Sequence, residues 1–380
     1  MSLNLDRSAW MTVKFGDVVS NINENVRDPK AAKIDRVIGL DNLDPGEFRI
    51  SRWGTVTPET TFTRRVRPGQ TLFGKRRSYQ RKTAYAEFEA LCSGDILVFE
   101  AKAGLLLPEL LPFVAMTDAF YAHALGTSAG SLSPRTRWSD MAKHEFLLPP
   151  LGEQRRIADL LWATEAHRIS VSAVTAAIVE VEQSILGEVE AGSRSVAAVL
   201  AWAKAGGTPS RAHPEYFGGT VPWLKSGEVL GDNISATEEK ITDEGLSKSA
   251  ASLIPAGATV VAMYGETRGQ VGRLASAMTT NQAVLGLVAE PERCDPAFLY
   301  LWMRSRQAAM RAKSAGGAQK NLNKELVLGE PFPDLGLDEQ IQLTARIRQL
   351  DHALALSRKE SLVLQAMRQE LLGDTLGRGR

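Results

Sequence analysis

The residues that could do chemistry are scattered through this chain, and their spacing argues against most of it. Asp95 and the string Glu100-Ala101-Lys102 echo the Asp…Glu-x-Lys of metal-dependent nucleases. Such a site needs both carboxylates on one Mg²⁺. On a single predicted strand, acids at 95 and 100 fall on opposite faces, so no metal site is expected. The five histidines pair with no plausible nucleophile. The two cysteines, Cys92 and Cys294, lack a second cysteine or histidine at ligand spacing. There is no phosphate-binding Gly-x-x-x-x-Gly-Lys loop and no Gly-x-Gly-x-x-Gly after a strand. Pro149-Pro150 follows Leu148, where an adenine-methylating motif would place Asp or Asn.

What remains is binding chemistry. From Arg64 to Lys82 there are eight basic residues and no acidic one, with Phe73 and Tyr79 interleaved. A solvated face is the ordinary reading of a charge run. Against it, eight like charges without a nearby counter-ion repel one another unless a polyanion accepts them. A second run, Ala297 to Lys324, carries six basic residues and no acidic one, and it ends in the loop 315–321. Residues 128–138 read as a flexible loop with two more arginines, Arg135 and Arg137.

The elements that must position these runs repeat. Pro149-Pro150-Leu151-Gly152-Glu153-Gln154 opens a long helical pattern that closes on Leu186-Gly187. Leu335-Gly336-Leu337-Asp338-Glu339-Gln340 opens another, closing on Leu372-Gly373, and one constant offset relates the two. Two matched helices, each after a block of similar size, mean a duplicated chain. The first helix has a predicted stripe of Ile157, Leu160, Thr164, His167, Val171, Val174, Ile178, Val181 and Ile185, with alternating spacings of three and four. His167 reads as a partly buried polar position that fixes register. In the second helix Leu343, Ile347, Leu350, Leu354, Leu364 and Leu371 carry the stripe, which Ser357, Glu360 and Ser361 interrupt.

At 380 residues the chain is too long for one core. Its polar start lacks the order of a signal peptide, and a cytoplasmic protein is expected. A net charge of +1 decides nothing about nucleic acid. Strand signal appears at Asp95–Phe99 and again at Thr259–Met263, which runs into the turn Tyr264-Gly265-Glu266-Thr267-Arg268-Gly269. Two basic blocks held at a fixed separation by paired antiparallel helices suit a linear polyanion, and duplex DNA is the obvious one.

The sequence resembles the specificity (S, or HsdS) subunit of type I restriction-modification systems. Gly206-Gly207-Thr208-Pro209-Ser210 with Val221-Pro222-Trp223-Leu224-Lys225-Ser226-Gly227 is similar to the opening of that family's target-recognition domain. Tyr264-Gly265 through Gly269 and Thr280-Asn281-Gln282-Ala283 resemble its middle, and Leu148–Ile157 the entry to its spacer helix. The first block lacks the Gly-Gly-Thr-Pro-Ser opening, and Gly336-Leu337-Asp338-Glu339-Gln340 departs from the usual Pro-Leu-x-Glu-Gln.

The resemblance implies an α/β fold: two target-recognition domains, mixed α/β with small twisted sheets, joined by two long antiparallel helices in a coiled coil with an internal pseudo-two-fold repeat. The expected segments are 1–151, 152–189, 190–336 and 337–376. It implies a non-catalytic subunit that reads a two-part target in double-stranded DNA. Two methyltransferase (M) subunits and restriction (R) subunits are its implied partners, carrying S-adenosylmethionine, ATP and Mg²⁺. The S subunit of a two-part type II enzyme is a close alternative, and a helical scaffold without DNA a distant one. The candidate DNA-contacting residues are Lys75, Arg76, Arg77, Tyr79, Arg81, Lys82 and Arg135 in the first block. In the second they are Tyr264, Thr267, Arg268, Gln282, Lys320 and Asn321. Glu153, Gln154, Glu339 and Gln340 are the candidate partner-binding residues.

Overall fold

The structure is a computed structural model in which residues 6–130, 134–315 and 321–376 are described. The chain packs into two units, residues 1–173 with 358–380, and residues 174–357. Each unit therefore contains part of each long helix.

In the first unit the main sheet orders Val19–Ile22, Ile96–Ala101, Thr71–Gly74 and Thr83–Tyr85, every neighbour antiparallel. In the second the order is Leu200–Ala205, Val284–Ala289, Thr259–Ala262 and Val271–Leu274, again antiparallel, with Gly231–Ile234 added in parallel at the edge. The central strands are apolar runs buried throughout, Ile96–Phe99 and Thr259–Ala262, because both faces are covered. A smaller sheet in each unit has a parallel pair, Arg36–Ile38 with Ala90–Cys92 and Phe217–Leu224 with Thr279–Thr280. A two-stranded ribbon closes each block, Met11–Lys14 on Glu145–Leu148 and Arg194–Ser195 on Pro331–Phe332. The duplication read from the helices thus covers the blocks as well.

The first core is aromatic. Phe73 and Phe99 lie 5.7 Å apart, and Phe15 lies 5.2 Å from Phe99 and 4.7 Å from Phe120. The second gathers Val261, Leu285 and Leu287 from the sheet against Phe298, Trp302 and Phe332. Each core reaches its own helix ends. Ile157, Ala158 and Leu161 share the first core with Leu371, Leu372 and Leu376, while Ile185, Leu186, Leu343 and Ile347 join the second.

The helices span Leu151–Gly187 and Leu337–Leu376, and their segments run antiparallel within each unit. The expected stripe of the first helix needs correction. Leu161, not Leu160, is buried, and Leu160, Val174 and Val181 are 41%, 50% and 47% exposed. A straight helix at 3.6 residues per turn drifts away from a strict heptad, which moves the contact to neighbouring positions. His167 is exposed as well, with Nε2 2.8 Å from Glu360 Oε1. In the second helix Ser357 does not break the stripe but completes it. It is buried, and its hydroxyl pairs with that of Thr175 at 2.7 Å. By length and composition alone Leu151–Gly187 could cross a bilayer, but here Gln154, Ile157, Ala158 and Leu161 pack into a domain.

Candidate nucleic-acid interface

The two stretches singled out by sequence, Lys75–Lys82 and Met263–Gln270, join equivalent strands of the two main sheets. They share four matching backbone bonds. Gly74 N donates to Lys82 O and Ala262 N to Gln270 O, both at 2.9 Å. Lys75 N donates to Asp95 O at 3.0 Å, as Met263 N does to Ala283 O at 2.7 Å. Lys75 O accepts from Thr136 N and Met263 O from Leu322 N, both at 2.9 Å. At the tips, Gln80 N donates to Arg77 O (2.9 Å) and Arg268 N to Gly265 O (3.3 Å). Both tips carry two left-handed residues at matching places: Arg77 and Arg81 with φ of 55° and 52°, Gly265 and Gly269 with 79° and 77°. For a residue with a Cβ that conformation costs about 1–2 kcal/mol.

These bonds gather the candidates. Arg135, beside Thr136, borders the first hairpin tip; Asn321, beside Leu322, and Gln282, beside Ala283, border the second. Lys320 lies outside the described residues.

The first basic run does have counter-ions, contrary to the expectation from sequence. Arg65 reaches Glu24 and Glu89, and Arg67 reaches Glu24. Arg76 and Arg135 share the Asp95 carboxylate at 3.4 and 3.1 Å. Arg81 pairs with Asp118 at 2.5 Å, donates to Met116 O at 2.8 Å and lies 4.9 Å from the Tyr121 ring centroid. Lys82 Nζ donates to Leu40 O at 2.5 Å. Lys75 is partly buried, and burial first, then the nearby Arg64, holds its ammonium below the usual lysine range. Arg77 and Tyr79 are exposed at the tip. Tyr79, Gln80, Arg81 and Lys82 also line a groove of about 1250 Å³ against Gly46, Asp118 and Arg368. The flanks of the loop expected at 128–138 are paired, Ala129 and Arg135 exchanging both backbone bonds, while 131–133 lie outside the described residues. Three cations of the second run have acidic partners too. Arg304 bonds Glu182 and Asp351, and Arg306 and Lys313 bond the buried Glu330.

In the second unit three sequence motifs meet. A Cβ on Gly206 would lie 2.0 Å from Thr280 O, and one on Gly207 2.4 Å from the Ala250 carbonyl carbon, so only glycine fits. Gly207 N donates to Thr280 O (2.9 Å), and Trp223 Nε1 donates to Gly207 O (2.9 Å). Thr208 bonds Gln282, which is exposed. Tyr264 is exposed, Thr267 Oγ1 donates to Ser226 O (3.0 Å), and Arg311 Nε donates to Arg268 O (3.2 Å).

Residues 195–365 match the family described as "Type I restriction modification DNA specificity domain". The second half of this chain is similar to that family. A relative from Methanocaldococcus jannaschii, the type I restriction enzyme MjaIX specificity subunit, is 23% identical over 177 residues. That match covers 44% of this chain and only 39% of the relative. Two solved chains share the fold across nearly the whole length. One is the S subunit of a type I restriction-modification system from M. genitalium (TM-score 0.64, 13% identity, 100% of this chain and 99% of that one). The other comes from a structure described as the basis of complex assembly and conformational transition of the type I R-M system (TM-score 0.56, 16% identity, 96% and 97% covered).

Gln154 and Gln340 are buried, which corrects the expectation that they bind a partner. They are 1% and 0% exposed. Gln154 Oε1 accepts from Leu107 N (2.9 Å), and Nε2 donates to Leu105 O and Pro149 O (both 2.9 Å). Gln340 repeats the pattern with Asp295 N, Arg293 O and Leu335 O, each at 3.1 Å. The repeated glutamine ties each helix start to its own domain. Glu339 bonds the Gly336 amide (2.8 Å) and Glu153 pairs with Arg156 (2.7 Å), both at the helix surface.

The nuclease-like acids are committed elsewhere. Asp95 holds the two arginines, Glu100 accepts from Gln70 Nε2 (2.7 Å), and no metal-binding cluster occurs among the described residues. Burial pushes the Cys92 and Cys294 thiols up to about 12, so neither is a nucleophile at neutral pH.

Proposed function

We propose that this chain is the DNA-recognition subunit of a type I restriction-modification complex, itself non-catalytic. Each domain reads one half of a two-part target in duplex DNA, and the helix pair sets the unread gap between the halves. The observation that carries this reading is the doubled hairpin. Two blocks with different loop sequences share four loop hydrogen bonds and two left-handed positions, each loop ringed by arginine, lysine, tyrosine, asparagine or glutamine side chains. One frame with two side-chain sets suits two different half-sites. M subunits carrying S-adenosylmethionine and R subunits with ATP and Mg²⁺ complete the proposed cytoplasmic complex. The exposed Leu160, Val174, Val181, Leu356, Val363 and Met367 on the two helices support protein docking there.

The test is selection by the full-length chain from a duplex pool randomised across its middle, with the bound fraction sequenced. Two fixed half-sites around an unread gap are expected; enrichment of no sequence, or of one uninterrupted site, would sink the reading. Incubation of the chain alone with labelled S-adenosylmethionine and DNA should transfer no methyl group.

Arg268 is assigned to one base in the second half-site. Arg268→Ala should cost about 1–3 kcal/mol at that base pair, with the first half-site unaffected. A uniform loss over all sequences would mean a phosphate contact instead.

A further inference from the structure

We propose that the Arg77 guanidinium reads a guanine in the half-site of the first domain, and that Arg81 is the positioning residue that holds the loop for it. The inference rests on the DNA-recognition reading above and goes beyond it by dividing roles within one loop. Its basis is the match between the two hairpin tips. Where the second domain uses Gly265 and Gly269 for the two left-handed positions, the first uses Arg77 and Arg81. The second tip shows that glycine serves this backbone without strain. A Cβ at Gly265 would meet nothing within 4 Å, so no packing separates the two choices at that place.

The arginines must therefore be accounted for by their side chains. Arg81 is accounted for inside the protein, through Asp118, Met116 O and the Tyr121 ring, which pin the loop to the helix Asp118–Gly126. Arg77 is not. Its amide donates to Pro134 O at 3.0 Å, so its backbone is fixed, yet its exposed side chain has no hydrogen-bond or ion-pair partner among the described residues. A fixed backbone, a strained residue and an unengaged planar fork on an outward tip make a side chain held ready for an external acceptor. The guanine edge offers that fork two acceptors, O6 and N7.

The experiment uses the full-length chain and the randomised duplex pool, comparing wild type with Arg77→Gly and Arg77→Lys. Arg77→Gly supplies the residue the second domain already uses, so its melting temperature should not fall. It should lose about 10–100-fold discrimination at one G·C pair of the first half-site, with the second half-site unchanged. Arg77→Lys keeps the charge and lacks the fork, and it should lose the same discrimination. An unchanged selection, a uniform loss over all sequences, or full discrimination with lysine would each overturn the proposal. If the wild type enriches no sequence, the DNA-recognition reading itself fails. If only the Arg77 variants behave like wild type, this inference alone falls.

Discussion

Glu165→Ala is expected to destabilise the first unit by about 3–5 kcal/mol, the range for removing one member of a buried ion cluster. Glu165 is fully buried on the first long helix. Its carboxylate accepts from Arg168 Nε and Nη2 at 3.1 and 2.7 Å and pairs with Arg368 of the second helix at 3.4 Å. The Glu165 hydrogen bond, opposed by burial, holds the Arg168 guanidinium well above its usual range. Arg368 also donates to Gly46 O at 3.0 Å and lies 5.6 Å from the Phe48 ring centroid. Removing the acid leaves two guanidinium groups, 17% and 14% exposed, with Arg168 still paired to Glu47 but Arg368 deprived of its carboxylate. Urea unfolding monitored by tryptophan fluorescence checks this, since Trp162 sits in the same core. A loss below about 1 kcal/mol would place the cluster with exposed pairs and show that water rescues the arginines. The second unit handles the same place differently. At the repeat-equivalent positions it has Asp351 and Glu182, two acids, and Arg304 from its own domain bridges them.

Gln154→Ala and Gln340→Ala should each cost about 2–4 kcal/mol, from buried backbone groups left unpaired and a cavity in place of the amide. Each side chain satisfies three backbone groups: two in the segment before a domain helix and one just before its own helix. Because the two glutamines share no partners, the double variant should lose the sum of the two effects. Both quantities follow from denaturant titrations of the four proteins. If the glutamines were partner-binding residues, as the sequence suggested, the isolated variants would unfold like the wild type and lose only assembly.

The sequence by itself determined the duplication, the two long helices, the central strands and the motifs of the second domain. Those signals are local: a helix period, an apolar run, a glycine pair that admits no Cβ. It also picked out both hairpin tips, one by its charge and one by its glycines. What only the tertiary structure decided is that the tips are one object in two copies. Arginine and glycine look unrelated in sequence, and their common feature, a left-handed backbone, is set by the strands on either side. Tertiary structure also decided which charges remain for a ligand. The counter-ions of Arg65, Arg76 and Arg81 are Glu24 and Glu89, Asp95, and Asp118, all brought in by sheet pairing or helix packing from beyond the basic run. The same holds for Gln154 and Gln340. Nothing local distinguishes a glutamine at a helix surface from one buried against a neighbouring segment, because the backbone groups that claim it lie tens of residues away in sequence.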